Sequence, residues 1–588
     1  MQYNFLFKGR FVKFSALILA LTLMMSACGK DSTPSKVTHT DKGTVSDGVD
    51  SVGNNSADNS NSSDTGFDDG SSDNNNSATT DSDVKDDTNP QSSEMPEQVF
   101  NLDGEYSYTE VISRPASDAD EYNYKGNCSN LSKNLKGYFD DEAEQLRKEI
   151  LNAKNTEENY KITGQKYYIS PDGNDDNDGK TPETALRTAD GLMNIYLKKG
   201  DAVLFKRDSI FRFTHTLSLM SGVTYGSYGT GDKPKIYGCP FNYANPTLWK
   251  PSNKKNVWKV DFAYGTTTAG CAVFDHGKEI GYLKEGGVNL LAKNLDFYHN
   301  ANDGILYLYF DKGNPGKCFK DIEFCPAYTV IYANKDSNDI VIDNLCIKYA
   351  GYGAIGTAEN CKNITVTNCE IGYIGGINPF NGVRMGNAIG NWNGIDGMYI
   401  HHNWIYQTFD TAISPQGDHY AEYDYKNLSY CDNLLEYNGV DFEWFDYYES
   451  TAWENIKVEG NICRFTSLGW GNRLEDNGLR GLEAIIKADT KSQSLKNVSF
   501  KNNTIDCPGR DVIKWLCDEK YLNEFDVENN KLYVKGSYRK YFPVNTSIMY
   551  LTIPQLPNNS INALNQAELE TAWKYFDKSS TSVVKWFD

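Results

Sequence analysis

The chain has 588 residues, of which 39% are hydrophobic and 23% are charged, and its formal net charge is −21. That length is too great for one ordinary compact domain, and the acidity excludes the basic face with which proteins displace counterions from nucleic acid. The charge is unevenly distributed. Residues 1–29 contain three basic side chains, residues 30–100 contain 15 acidic against 4 basic ones, and residues 101–588 therefore keep −13.

Residues 1–27 have the pattern of a bacterial lipoprotein signal peptide. A basic start precedes an apolar run from Phe14 to Met25, which has signal-peptide length and is too short to span a bilayer. Cys28 directly follows a Ser-Ala pair, which resembles a lipobox. We therefore expect lipid on Cys28 and a protein anchored at the extracellular face of the bacterial membrane. The alternative is an ordinary secretory signal followed by an unrelated cysteine.

Two segments precede the main domain. Residues 28–98 are dominated by Ser, Asp, Asn, Thr and Gly, and such a composition cannot bury enough apolar surface to fold, so we expect a disordered acidic tether. The alternative is a purely solubilising spacer. Residues 99–166 are expected to be a helical N-terminal extension, because Leu146, Ile150 and Leu151 have helical spacing within residues 130–153.

A repeat in the second half of the chain predicts the fold. Seven strand-like segments alternate apolar and polar residues and close on Asn, and their starts are 24, 34, 30, 28, 42 and 27 residues apart. One strand recurring in each coil is typical of an all-β solenoid, here a right-handed parallel β-helix. The recurrent Asn would form a left-handed turn and an amide ladder between coils. A propeller is the competing fold, but its units are longer and more regular.

The remaining boundaries follow from local signals. The β-helix is expected to begin over residues 167–238, where Thr181-Pro182-Glu183 predicts a capping helix that continues to about Leu197. Residues 239–327 lack the Asn-closed repeat and predict a small inserted β-rich domain. Residues 328–534 supply the later coils. Residues 535–588 form a C-terminal cap with a helix near residues 566–575.

Part of the sequence resembles known carbohydrate-active proteins. The run Tyr168–Pro182, followed by the strand Gly200–Phe205, resembles secreted right-handed parallel β-helix proteins that act on polysaccharides. The insertion after the first coils and the stretch Ile405–Ala412 are similar to glycoside hydrolase family 120, the β-xylosidase-like group. The resemblance covers about residues 167–533. It implies that Asp410 is a nucleophile and that Glu443 or Asp441 is the acid/base.

The position of three carboxylates within the coils suggests the same chemistry. Asp441 and Glu443 alternate with Phe442 and Trp444, so the two acids are expected to share a face. Because coils stack about 4.8 Å apart, Asp410 of the preceding coil could approach them to the 5–6 Å that a retaining glycosidase requires. The alternative is a solvated polar wall whose carboxylates only accept hydrogen bonds.

Basic and aromatic residues on the same coils are candidates for substrate binding. Arg384, Arg464, Arg473, Arg480 and Lys487 could serve a polysaccharide lyase that acts on uronate polymer, or could be ordinary surface cations. Sugar faces stack on aromatic rings. The predicted substrate-binding residues are Arg384, Trp392, Gln416, His419, Trp444, Trp470, Arg473 and Lys487.

The sequence predicts no cofactor. The loop Asn174-x-Asp176-x-Asp178-Gly179 suggests calcium, but the position where a calcium loop has Glu is Ala185, so a structural turn is the preferred interpretation. Cysteine spacing fits neither zinc nor a disulfide scaffold, although Cys318 and Cys325 could form one bridge.

The leading hypothesis is a lipid-anchored, retaining glycoside hydrolase that acts on plant-type poly- or oligosaccharide. The alternatives are a β-helix lyase on uronate polymer and a non-catalytic carbohydrate-binding or adhesin solenoid. Carbohydrate and, through Cys28, the membrane are the expected partners. Nucleic acid is not expected, and the sequence does not predict an oligomeric state.

Overall fold

The computed structural model describes residues 135–588 apart from 266, 381–382, 418–422, 447–450, 472–483, 491–493, 518, 540–548 and 552–559. The signal peptide, Cys28, the tether and residues 99–134 of the N-terminal extension lie outside the described residues. The same is true of His419, Arg473 and Arg480 among the candidates for substrate binding or lyase chemistry.

Three ten-stranded sheets, almost entirely parallel, form the body of the protein and confirm the all-β parallel β-helix. With strands numbered in chain order, the first wall contains β1 (Lys166–Ile169), β2 (Ala202–Lys206), β5 (Thr224–Tyr228), β16 (Asn338–Asp343), β19 (Cys361–Thr367), β24 (Ile395–His401), β27 (Asp424–Cys431), β30 (Ala452–Glu459), β33 (Ser494–Lys501) and β36 (Phe525–Glu528).

The chain turns from the first wall into the second and then into the third in each coil. The second wall contains β3 (Ile210–Arg212), β6 (Lys235–Tyr237), β17 (Cys346–Ala350), β20 (Glu370–Ile374), β25 (Trp404–Thr408), β28 (Leu434–Glu436), β31 (Ile462–Arg464), β34 (Thr504–Asp506), β37 (Lys531–Lys535) and β40 (Val583–Phe587). The third wall contains β4 (Leu217–Leu219), β15 (Thr329–Ala333), β18 (Gly353–Thr357), β23 (Asn387–Trp392), β26 (Thr411–Gln416), β29 (Val440–Asp446), β32 (Ala484–Thr490), β35 (Asp511–Trp515), β38 (Met549–Leu551) and β39 (Ser560–Ile561), of which β38 and β39 are antiparallel.

Apolar side chains stack in register inside the solenoid, because one face of every strand must be buried. On the third wall the inward row is Ile331, Ile355, Ile389, Ile413, Phe442, Ile486 and Ile513. Comparable rows on the first and second walls complete one continuous core. Residues next to this row therefore point to the outer face of the third wall.

A ladder of five asparagines joins six coils at the corner between the first and second walls, beginning with the coil of Cys369. Each of its members accepts the backbone N–H of the equivalent residue in the preceding coil at 2.9–3.0 Å: Asn403, Asn433, Asn461, Asn503 and Asn530. The left-handed residue is the one before each ladder position, such as His402 (φ 54°) or Asp432 (φ 54°). The two roles expected of one Asn are thus divided between consecutive residues in these coils.

The segment between β6 and β15 carries two small sheets. A five-stranded sheet contains β7 (Lys250–Pro251), β8 (Val257–Asp261), β11 (Tyr282–Leu283), β12 (Asp296–Asn300) and β13 (Ile305–Tyr309). A three-stranded antiparallel sheet contains β9 (Ala272–Phe274), β10 (Glu279–Ile280) and β14 (Ile322–Phe324). Their apolar residues form one cluster with aromatic residues from the outer face of the second wall, so this segment covers that wall. A separate hairpin, β21 (Ile377–Phe380) and β22 (Val383–Met385), lies between β20 and β23 in the chain.

Helices are few among the described residues. They are α1 (Asp140–Leu151), α2 (Thr156–Asn159), α3 (Pro315–Cys318), α4 (Gly536–Arg539) and α5 (Gln566–Trp573), with 3₁₀ turns at Pro182–Thr184, Ala189–Asn194, Pro246–Leu248, Asp275–Gly277, Val288–Leu290 and Glu519–Glu524. Within this part of the chain, none of the helices has the length and apolar character needed to span a membrane.

The capping helix expected from Thr181 to Leu197 does not form. Leu186 pairs with β1 instead, and the backbone N–H groups of Arg187 and Thr188 both donate to Asp175 Oδ1 at 2.8 Å. These contacts hold the middle of the segment extended and leave only two 3₁₀ turns, so tertiary hydrogen bonds override a valid local helix signal.

Candidate functional site

The outer face of the third wall brings together most of the candidate residues that the structure describes. Phe442 pairs with Ile413, so Glu443 lies beside Ser414, and in the next coil Glu443 pairs with Lys487. In the preceding coil Gly390 pairs with Ser414. One outward row therefore runs from Gly390 through Ser414 and Glu443 to Lys487.

Glu443 is held by four side-chain donors. Its Oε2 accepts from Thr411 Oγ1 at 3.2 Å, Ser414 Oγ at 2.7 Å and Gln416 Nε2 at 2.6 Å. Its Oε1 accepts from Lys487 Nζ. Burial alone would raise the pKa of Glu443, but the Lys487 charge and these hydrogen bonds outweigh burial and lower it. Glu443 is therefore an ionised carboxylate at neutral pH.

Lys487 links Glu443 to Asp410. Burial would lower the pKa of Lys487, but the nearby charges of Glu443 and Asp410 raise it above its ordinary value. A lyase base must lose its proton near neutral pH. Since Lys487 keeps its proton there, the structure argues against the lyase role considered for this residue.

Asp410 does not lie directly beside Glu443. Thr411 pairs with Val440, which puts half-exposed Asp410 next to Gly439, four strand positions before Glu443. Four positions correspond to about 13 Å along a strand. The expected 5–6 Å approach by simple stacking is therefore not what the register provides. From the second wall to the third, paired positions are five residues apart in the coil of Asp410 (Tyr406 to Thr411) and four in the coil of Glu443 (Glu436 to Val440), so the latter coil is one residue shorter at this corner.

Asp441 has a different environment from Glu443. It is fully buried, and its carboxyl accepts from Asn438 Nδ2 at 3.1 Å and from Thr466 Oγ1 at 2.5 Å. Burial raises the pKa of Asp441 to about 7, and neither hydrogen bond is enough to restore it. The two acids expected to share a face have no hydrogen-bond partner in common, so Asp441 is not part of the Glu443 cluster.

Among the described residues, two glycines lie in the outward row that leads to Glu443, and the ring of Tyr332 in the preceding coil lies against the first of them, Gly356. Gly356 and Gly390 precede Ser414 in the outward row, and a Cβ added at Gly390 would come no nearer than 3.6 Å to any neighbouring atom. The half-exposed Trp392 pairs with Gln416 in the adjacent outward row. We call the stretch of the third wall from Gly390, with Trp392 in the adjacent row, to Glu443 the trough.

Two predicted sugar-binding tryptophans are buried instead. Trp444 packs in the solenoid core against Phe525, with ring centroids 5.9 Å apart. Trp470 packs on Phe409 in the cluster outside the second wall and donates from Nε1 to the carbonyl of Gln407 at 2.6 Å. Neither indole is available on the surface, so the prediction that they contact sugar is wrong for this structure.

The candidate arginines are also distributed differently from the expectation. Arg384 lies 4.3 Å from the ring centroid of Phe409, the residue before Asp410, and donates to the carbonyl of Gly471 at 2.7 Å. Arg464 lies on the second wall and pairs with Glu436 at 3.0 Å and Asp506 at 3.1 Å. Arg384 thus borders the site near Asp410, and Arg464 belongs to another cluster.

Thr411 and Ser414 are site residues that the sequence analysis missed. Thr411 follows Asp410 directly, and Ser414 alternates with Gln416 on β26. That alternation was the available signal, but short hydroxyl residues are common in strands and turns, and only the register shows that they donate to Glu443.

The proposed calcium loop binds backbone and hydroxyl groups instead. Asp178 Oδ1 accepts from the N–H of Lys180 at 3.1 Å and from Thr184 Oγ1 at 2.8 Å, and Asn174 Oδ1 accepts from the N–H of Asp176 at 3.2 Å. No cluster of three potential metal ligands occurs in the described part of the chain. Cys318 and Cys325 do not form the bridge that their spacing allowed, and both are free thiols.

Comparison with known proteins adds information on the fold alone. No family model and no curated protein matches the sequence. The structure of XylC in complex with xylose is similar over 63% of this chain and 66% of that chain, just under two thirds of its length, with 12% identity and a TM-score of 0.43. A family 28 exopolygalacturonase from Yersinia enterocolitica is similar over 63% of this chain and 72% of its own, with 11% identity and a TM-score of 0.29.

A further solved structure, the GH136 lacto-N-biosidase from Eubacterium ramulus, is similar over 64% of this chain and 65% of its own, with 13% identity and a TM-score of 0.27. The fold is thus distantly similar to the folds of carbohydrate-active enzymes.

Proposed function

We propose that the chain is a glycoside hydrolase whose reaction takes place on the outer face of the third wall. One observation carries the proposal. Glu443 is an ionised carboxylate at the end of the trough, and Lys487 connects it electrostatically to a second carboxylate, Asp410. Hydrolysis of a glycosidic bond needs two such carboxyl groups, one to protonate the leaving oxygen and one that is ionised.

The lowered pKa of Glu443 favours one role for this residue, and the other role in the proposal then falls to Asp410. Because the pKa of Glu443 is lowered, Glu443 suits the ionised role and not the acid role that the family resemblance implied. Asp410, which is half-exposed, then protonates the leaving oxygen. Their backbone offset of about 13 Å is far beyond the roughly 5–5.5 Å carboxylate separation of retaining enzymes. Inversion is therefore the proposed outcome, and it requires the side chains of Asp410 and Glu443 to reach toward Lys487 until their carboxylates are about 6.5–9.5 Å apart.

Substrate contacts follow from the same wall. Trp392 offers a ring on which the apolar face of a sugar can stack, and the Gly390 region leaves room for the ring beside it. Gln416 and Arg384 border the two ends of the site. We infer that a neutral or weakly charged plant-type glycan fits this surface better than a polyanion, since the folded part is itself acidic.

The test is a hydrolysis screen on aryl glycosides and polysaccharides with three proteins. Asp410→Asn and Glu443→Gln should each lower kcat by about 10²–10⁴-fold, while the matched control Glu454→Gln on the outside of β30 keeps full activity. NMR of the first-formed anomer then distinguishes inversion from retention. Full activity of both site variants would contradict the proposed site, and glycan binding without turnover would support the non-catalytic alternative.

Lys487 provides an independent test of the assigned roles. Its charge lowers the pKa of Glu443 against the effect of burial, so Lys487→Met should raise that pKa. The acid limb of the pH profile of kcat/KM should move to higher pH, because a base with a raised pKa is protonated at higher pH. An unchanged acid limb would show that Glu443 is not the group that titrates in the reaction.

We further propose that Cys28 carries lipid and holds the enzyme at the extracellular face of the membrane. The basic start, the apolar run and the small residues before Cys28 support this proposal. Metabolic labelling with a fatty acid, followed by membrane fractionation, should give a labelled membrane-bound protein, and Cys28→Ser should remove both properties. Labelling that persists in the variant would contradict the assignment.

A further inference from the structure

A cavity of about 730 Å³ lies away from the third wall, at the corner between the first and second walls. The end of α1, the segment after it and the β5–β6 loop surround the cavity, and β17 and β20 form its floor. Six basic and three acidic side chains line it: Lys148, Lys154, Arg207, Lys233, Lys235 and Lys348, against Glu158, Asp232 and Glu370. The lining is therefore positive in a protein that is strongly acidic overall.

Arg207 is buried, yet its guanidinium hydrogen-bonds only to neutral oxygens. Nε donates to Asn155 Oδ1 at 2.7 Å, Nη1 to the carbonyl of Gly231 at 3.2 Å and Nη2 to the carbonyl of Ala153 at 2.5 Å. These acceptors fix the orientation of the guanidinium without neutralising it. Burying a charge without an opposite charge is costly.

Lys233, within the β5–β6 loop, repeats this arrangement. It is 3% exposed, and its Nζ donates to the amide oxygen of Asn344. Asn344 is itself oriented by donating to the carbonyl of Lys154 at 2.7 Å and to Ser227 Oγ at 2.8 Å. Within the described residues, neither Lys233 nor Arg207 has a carboxylate at ion-pair distance. Three of the other four cavity cations differ, since Lys348 pairs with Glu370 at 2.9 Å, Lys235 with Asp232 at 3.7 Å and Lys148 with Glu144 at 3.4 Å.

Asp343 is a buried acid that attracts both cations, but it forms no hydrogen bond with either. Asp343 accepts from Asn368 Nδ2 at 2.8 Å and from Asn159 Nδ2 at 3.5 Å. Burial raises its pKa. Burial also lowers the pKa of Lys233 to about 8 and lowers the pKa of Arg207, the result expected where desolvation exceeds the attraction of nearby acids. An anion in the cavity would reverse these shifts.

We propose that this cavity binds a sugar acid, with its carboxylate held by Arg207 and Lys233. The cations supply the charge-assisted hydrogen bonds that select an anion. The cavity is within the 300–1,000 Å³ range of small-molecule sites, so it accommodates a whole sugar ring and not only a free oxyanion. The site is separate from the Glu443 wall, and the proposal does not depend on the proposed hydrolysis.

The experiment is calorimetric titration of the full chain with galacturonate, galactose and sodium sulfate. Galacturonate should bind, galactose should not, and sulfate should bind more weakly because it cannot fill the cavity. Arg207→Gln and Lys233→Met should each weaken galacturonate binding by about 10- to 100-fold, the loss of one charged hydrogen bond. The matched control Lys457→Met, on the exposed outer side of β30, should bind like the wild type, and so should Glu443→Gln.

Several outcomes would overturn the proposal. Equal binding of galactose and galacturonate would show that charge does not select the ligand. Sulfate binding as tight as galacturonate would reduce the site to a simple oxyanion site, and absence of galacturonate binding would remove it. Circular dichroism shows whether each variant is folded. Since Lys233→Met replaces a buried cation by an apolar chain of similar length, unchanged affinity in that folded variant is also decisive against the proposal.

Discussion

Glu436 and Glu443 lie seven residues apart in the same coil, and they have similar strand positions, burial and neighbouring cations. Each is on an outward row, Glu436 on the second wall and Glu443 on the third, and each faces a cation in the next coil, Arg464 or Lys487. Both carboxylates are buried, and nearby cations lower the pKa of both against the effect of burial. From pairing and burial alone the two sites cannot be distinguished.

What covers each glutamate distinguishes the two sites. Arg147 of α1 lies over Glu436 and donates to its Oε2 at 2.6 Å, and Trp404 Nε1 donates to the same oxygen at 2.9 Å. Aromatic residues of the second wall then join α1 and the inserted segment in one cluster. Around Glu443 the donors are the short side chains of Thr411 and Ser414, the partly exposed Gln416 and the buried Lys487, and none of them comes from α1 or the inserted segment. The comparison supports a structural role for Glu436 and separates it from Glu443, for which we propose a catalytic role.

The largest expected effect concerns activity. Glu443→Gln should lower kcat by about 10²–10⁴-fold, whereas the activity per folded molecule should remain near wild type in Glu436→Gln. Steady-state kinetics normalised to the folded fraction measures this difference. The comparison fails if both variants lose activity equally.

The next effect concerns stability. Glu436→Gln leaves Arg147 and Arg464 buried without their shared carboxylate, and removing one partner of a buried ion pair costs about 3–5 kcal/mol. Chemical denaturation should show this loss. Glu454→Gln, whose pairing with Lys496 at 3.7 Å lies at the surface, should change stability by at most about 1 kcal/mol. A loss of similar size in both variants would contradict the structural role of Glu436.

Asp441 lies between the two glutamates in the chain, but no nearby cation lowers its pKa. Its pKa is raised to about 7 in the folded state from an ordinary 3.8. The folded protein therefore holds a proton that the unfolded chain has lost, and wild-type stability should fall as pH rises from about 4 to 7. Asp441→Asn should remove this fall and stabilise the protein at pH 8 by up to about 4 kcal/mol, because each pKa unit is worth about 1.4 kcal/mol.

Denaturation midpoints at several pH values between 4 and 8 measure the Asp441 effect. Glu443→Gln is the matched comparison, because the lowered pKa of Glu443 gives stability that is present at neutral pH and is lost only in acid. A parallel pH dependence in wild type and Asp441→Asn would show that Asp441 is not the titrating group.

The smallest expected effect is a loss of stability from the asparagine ladder, which supports the coil that carries both glutamates. Asn433 belongs to the same coil and donates from Nδ2 to the carbonyl of Ile400 at 2.9 Å and to Asn461 Oδ1 at 3.0 Å. Asn433→Ala leaves buried partners unsatisfied, which should cost about 1–3 kcal/mol. Thermal unfolding measures the loss. Because the ladder holds the coils together but touches neither glutamate, the activity of folded molecules should not change.

Much of the fold was predictable because the repeat is local. Apolar alternation and recurrent Asn mark each first-wall strand, and the strands that they predict pair in the expected order from Ile340 to Phe525. The candidate site was predictable only in part. Asp410, Gln416, Glu443 and Lys487 were identified from residue type and position, but a one-residue difference between coils changed their register.

Other details depended on contacts that no local pattern encodes. The Thr181 segment has the signals of a helix but is held extended by β1 and Asp175. Trp470 was a candidate for sugar binding by residue type, but in the structure it is buried in the apolar cluster outside the second wall. Arg464 could have been a surface cation by its sequence context, but in the structure it is paired with the buried Glu436.

The sequence by itself determined the solenoid, because every coil repeats the same strand and the inner faces can be buried only by stacking. It also determined which chemical groups each coil supplies. Only the tertiary structure decided which acid faces which cation, since that depends on register, and which wall is covered, since that depends on segments distant in the chain. The physical reason is that burial and charge pairing set the pKa of a carboxylate, and both arise only when the coils, α1 and the insert are packed together.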